Sequence, residues 1–129
     1  MTDDDFLRAA DELHRALARL VSTAPDWVLA EVDREIDDED WVRDALGSMQ
    51  KYLRWRAIGE SPWVYLAPGY DPGRACGDSM ADAARYLAGG DDVDGWAVPS
   101  AVRADAQAAL QAYESLRWRE GGGGPYEGL

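Results

Sequence analysis

Phe6, Ala10, Leu13, Leu17 and Leu20 recur at alternating steps of four and three, with Leu7, His14 and Val21 on the adjoining stripe. At 3.6 residues per turn this spacing gathers one apolar face over about four turns, so the segment is an amphipathic helix that must pack against something. Thr2 with Asp5 three places on resembles a capping box with a shorter acid, and Asp3 to Asp5 stand where the helix dipole favours negative charge. Ser22-Thr23-Ala24-Pro25 ends this helix and starts a second over roughly 25–36, with Val28, Leu29, Val32 and Ile36 turned inward. Asp37-Asp38-Glu39-Asp40 supplies a turn and an acidic first turn for a third helix, which carries Val42, Ala45, Leu46, Met49, Tyr52 and Leu53 and stops near Gly59. Connections this short predict antiparallel neighbours.

The pattern changes between Gly59 and Gly77, where Pro62, Pro68, Gly69, Pro72 and Gly73 break helical periodicity and Trp63-Val64-Tyr65-Leu66 reads as a short extended strap. Asp78 or Ser79 is then positioned to cap a short helix holding Met80, Ala83, Ala84 and Leu87, closed by Gly89-Gly90. Ser100 caps a last helix running through about Arg119, with Val102, Ala106, Ala109, Leu110, Tyr113 and Leu116 to bury. The expected fold is an all-α compact bundle of about five helices with a short extended Pro/Gly-rich segment between the third and fourth. Residues 1–120 form its single domain, and the glycines of 121–129 form a flexible tail.

The chain of 129 residues, 47% apolar, is large enough for one core and too short for two. Its only cysteine, Cys76, excludes an intrachain disulfide, its first residues are acidic where a secretory signal is basic, and no apolar run reaches the length of a membrane span. These features point to the cytoplasm of a bacterium or a virus-infected host cell. Twelve arginines against the single Lys51, with abundant Ala, Gly and Asp, match the coding bias of a GC-rich genome such as an actinobacterial or phage one.

The net charge of −12 is unevenly spread: 14 acids face 5 bases over residues 1–48, 2 face 4 over 49–75, and 9 face 4 over 76–129. Such a surface repels phosphates and anionic lipid heads and steers basic partners, which sets aside nucleic acid and membrane as direct partners. Lys51, Arg54, Arg56 and Arg74 with Tyr52 and Trp55 form a small basic, aromatic island whose attraction for a nucleic acid strand is opposed by 25 acids.

His14 and Cys76 are too few for a zinc site built from His and Cys, and the chain calls for no cofactor. Asp91-Asp92-Val93-Asp94-Gly95 has the look of a calcium loop but lacks both end ligands, Gly90 and Ala101 standing in their places. Gly77-Asp78-Ser79 touches hydrolase signatures without the glycine or the late histidine they need, and reads as a helix start. The loop from Gly69 to Ser79 offers a candidate anion nest through Gly73, Arg74 and Ser79, without the Walker spacing.

Six tryptophans are more than a core of this size hides, and tryptophan is enriched where proteins meet. The function expected from this profile is a non-enzymatic, acidic protein-binding module that inhibits or tethers a more basic partner. Its expected contact residues are Asp37, Asp38, Glu39, Asp40, Trp41, Trp55, Trp63 and Tyr126. The alternatives are a small structural subunit of an assembly such as a virion connector, packed on sister subunits, and a small-ligand or anion binder using the Gly69–Ser79 loop.

Overall fold

The computed structural model describes residues 3–36, 40–57, 72–88, 96 and 98–119, and within them the chain forms five α-helices and no strand. They are α1 (Asp3–Thr23), α2 (Asp26–Ile36), α3 (Trp41–Ala57), α4 (Pro72–Ala88) and α5 (Ser100–Arg119). The all-α bundle that the periodicity implies is the observed architecture. The Trp63–Leu66 strap, the Asp91–Gly95 loop and the glycine-rich tail lie outside the described residues. No described helix is long and apolar enough to cross a membrane.

The apolar stripe of α1 is buried throughout, with Phe6, Ala10, Leu13, Leu17 and Leu20 inaccessible to water. His14, at the edge of the stripe, hydrogen-bonds through Nε2 to the Leu46 carbonyl at 3.1 Å and so ties α1 to α3. Side-chain pairs fix the helix directions. Phe6 packs on Tyr113 with ring centroids 6.0 Å apart while Arg19 reaches Asp105 at 3.2 Å, so α1 and α5 are antiparallel. Asp78 meets Arg117, Arg85 meets Glu114 and Gln107 donates to the Ala88 carbonyl, so α4 and α5 are antiparallel as well. Gly73 lies against Tyr52 and Trp41 against Tyr86, which sets α3 antiparallel to α4.

Two arrangements differ from the expectation of consecutive antiparallel neighbours. The most extensive partner of α1 is α5, and α2 packs on α3 and α4 rather than along α1. The apolar face of α1 is already filled by α5, α3 and α4, which leaves the Val28, Leu29 and Val32 stripe of α2 to close the bundle elsewhere.

The fourth helix begins at Pro72, six residues before the cap expected at Asp78 or Ser79, so residues 72–79 are helix and not a glycine-rich loop. Proline suits the first turn because its missing N–H would be unsatisfied there in any case. Gly73 and Gly77, which look like breakers, are buried packing positions. A Cβ on Gly73 would stand 2.6 Å from the Tyr52 hydroxyl oxygen, and one on Gly77 would stand 2.8 Å from Cζ of Tyr113. With Ala81, Ala83, Ala84 and Ala88 also buried, α4 is the slim helix against which each of the other four packs.

The start of α3 is held from a distance. The Asp33 carboxylate, nearly buried on α2, accepts the Asp40 N–H at 3.1 Å and the Val42 N–H at 3.2 Å, satisfying donors that a helix start leaves open. Asp40 itself adopts φ 60°, a left-handed conformation that Asp tolerates better than most side chains, and its carbonyl accepts the Asp44 N–H at 2.8 Å. The cap is therefore a residue of the preceding helix, with Asp40 as the pivot.

Candidate functional site

Where α3 and α4 run side by side, small residues on both flanks leave space between them at the surface. Ala45 and Ser48 from α3 face Ala75, Cys76 and Ser79 from α4, with Trp41 and Asp44 at one end, and together they line an open groove of about 220 Å³. Trp41 is half-buried against the core, and its ring meets Tyr86 edge-on, at 85° with centroids 6.1 Å apart. Both hydroxyl-bearing residues, Ser48 and Ser79, and the Cys76 thiol border the same space. Burial pushes the Cys76 thiol above its ordinary pKa, which keeps it in the neutral, weakly nucleophilic form at neutral pH. His14 does not line the groove, its ring being engaged with the Leu46 carbonyl.

The surrounding charges are mostly committed. Arg43 bridges Asp26 at 3.0 Å and Asp40 at 3.6 Å, and Arg85 holds both Asp82 and Glu114. The Asp44 carboxylate is exposed and has no side-chain partner among the described residues. Deeper in the bundle, Asp78 accepts Nε and a second nitrogen of the buried Arg117, both at 3.0 Å, together with the Tyr113 hydroxyl at 2.8 Å. That forked pair cross-links α4 to α5 and gives the buried guanidinium a counter-charge. Among the described residues no three His, Cys, Asp or Glu side chains converge to hold a metal ion.

Trp41 and Ser79 come together in the groove. Trp55 lies fourteen residues further along α3, about 21 Å away at a rise of ~1.5 Å per residue, where Lys51 sits 4.9 Å from its ring centroid. Trp41 and Trp55 therefore belong to opposite ends of the bundle. Asp40 is exposed but takes part in the turn and the Arg43 bridge. Gly73 is buried under Tyr52, and the Arg74 guanidinium lies 4.1 Å from the Phe6 ring centroid. Gly73 and Arg74 thus belong to the packing between helices, in a helix where a loop was expected. Asp37, Asp38, Glu39, Trp63 and Tyr126 lie outside the described residues.

Asp44, Ser48, Ala75 and Tyr86 line or border the groove and are not among the residues the sequence singles out, while Ala45 is expected only as a core position of α3 and Cys76 only as an isolated thiol. A signal was present: with α4 extended back to Pro72, Ala75, Cys76 and Ser79 share a helix flank, as do Trp41, Ala45 and Ser48 on α3 at spacings of three and four. A comparison of the chain with family models, curated proteins and solved structures finds no match.

Proposed function

We propose that this chain is a non-enzymatic, acidic protein-binding module, an inhibitor or adaptor that engages a more basic protein in the cytoplasm. One observation carries the reading: Trp27, Tyr86 and Trp118 leave 44%, 48% and 65% of their surface in water on a chain with a net charge of −12. Large aromatics are the side chains that most often anchor protein interfaces, because they bury much area at little entropic cost. Dense negative charge accelerates encounter with a cationic surface and rejects anionic ones. Immunity proteins, antitoxins and phage-encoded inhibitors share this physical profile, an analogy of surface rather than of sequence.

The test is affinity capture from the source cells on the immobilised chain, at low and at high salt. The expected outcome is one dominant basic protein, retained at low salt and released at high salt, whose association slows on reversing the charges of Asp37 to Asp40 and whose retention falls in Trp118→Ala. Capture that ignores both salt and charge reversal would remove the electrostatic half of the proposal. Loss of nothing on truncating the exposed aromatics would remove the other half.

A further inference from the structure

We infer that the groove between α3 and α4 seats an arginine side chain projecting from that basic partner, its aliphatic stem lying along Trp41, Ala45 and Ala75 and its guanidinium meeting the Asp44 carboxylate. The inference rests on the protein-binding reading and gives it a place and a chemistry. The groove, about 220 Å³, suits one long side chain rather than a helix. Its floor is two alanines, which favour the methylene stem of an amphipathic side chain. Its wall is Trp41, held in one orientation by the core and by Tyr86, so that little ordering remains to be done on binding.

The charge of the site is a single carboxylate. Asp26 and Asp40 share Arg43 and Asp82 is engaged by Arg85, whereas Asp44 has no side-chain partner among the described residues. It lies in the first turn of α3. The half-buried thiol adds no second negative charge, and the Ser48 and Ser79 hydroxyls can accept further N–H donors. A purely apolar occupant would desolvate Asp44 without compensation. Between the two cationic side chains, the planar guanidinium both stacks on an aromatic ring and presents a fork to a carboxylate, while the ammonium of lysine is a strongly hydrated point charge.

The experiment titrates the full chain with a short arginine-bearing peptide and with its lysine twin, following backbone amide shifts and the heat of binding. Asp44→Asn removes the charge without changing shape, and Ser48→Trp fills the groove from an exposed position. Glu31→Gln, exposed on α2, is the charge-matched control. The arginine peptide is expected to shift amides of residues 41–48 and 75–79. Asp44→Asn should weaken it about fivefold and Ser48→Trp about tenfold, with Glu31→Gln staying within about twofold and the lysine twin binding more weakly. Equal losses in Asp44→Asn and Glu31→Gln, or an unaffected Ser48→Trp with native helicity, would overturn the inference. The two readings fail separately. If salt-sensitive capture persists while the groove variants change nothing, the groove is wrong and the binding module stands. If the peptide needs the groove but no basic protein is captured, the groove stands as an arginine site and the wider function falls.

Discussion

α1 and α4 lie in contact in the same core and solve opposite problems. α1 brings bulk: Phe6, Leu13, Leu17 and Leu20 are fully buried. α4 brings room: Gly73, Gly77, Ala81, Ala84 and Ala88 let the other helices come close, and Met80 and Leu87 are its large buried side chains. The difference shows that a bundle interior is filled by complementary volumes, since packing at crystal-like density requires that the Tyr52 and Tyr113 rings enter space that α4 leaves empty. Bulk is weakened by removing atoms, and room is weakened by adding them.

The largest expected effect is on the side of bulk. Leu13→Ala should cost about 3 kcal/mol, the transfer term of the lost atoms plus the cavity they leave, read as a fall in the urea midpoint with unchanged slope. A loss below about 1 kcal/mol would mean that the neighbours collapse into the gap and that α1 is not the rigid filler described. Next comes Gly77→Ala. The new methyl meets Tyr113, which is fully buried and anchored through its hydroxyl to Asp78, so the ring has nowhere to go. We expect about 2 kcal/mol of destabilisation from overpacking, despite the gain of ~1 kcal/mol in helix propensity. An unchanged or raised melting temperature would refute the tight approach of α4 to α5. The smallest effect has the opposite sign. Gly47 lies on the exposed face of α3, and nothing lies within 4 Å of an added Cβ. Gly47→Ala should therefore stabilise by about 0.7 kcal/mol, through propensity and a less flexible unfolded chain. The same substitution would thus raise stability on one helix and lower it on another. If Gly47→Ala and Gly77→Ala shift the midpoint alike, the distinction between surface glycine and packing glycine fails.

This contrast also accounts for what could be read from the sequence. A stripe of large residues at steps of three and four announces itself, so the ends that the sequence implies for α1 and α5 fall within two or three residues of the observed ones. The first turns of α4 are not implied in this way, because Pro72, Gly73 and Gly77 are local breakers by propensity, and their value depends on rings that arrive from α3 and α5. Two charged residues carried a local clue to their burial. Arg117 continues the register of Ala106, Leu110 and Tyr113, and Asp33 follows Leu29 by four, so each is a charge on an apolar stripe that calls for a partner. Their partners, Asp78 for one and the start of α3 for the other, are set by tertiary structure and were not legible. In the groove, Trp41 and Ser79 were singled out for other reasons, while Asp44 and Cys76 acquire significance only once two helix flanks are brought face to face.

The pairing of α1 with α5 has a consequence for how the molecule comes to be made. Arg19 contacts Asp105 across 86 positions, and the Trp96 indole donates to the Thr23 carbonyl across 73. On a ribosome, therefore, α1 emerges with a complete apolar stripe and waits until nearly a hundred further residues have been synthesised before its main partner exists. Helix growth takes well under a millisecond, so assembly is governed by the closure of that long loop and by whatever shields α1 in the interval.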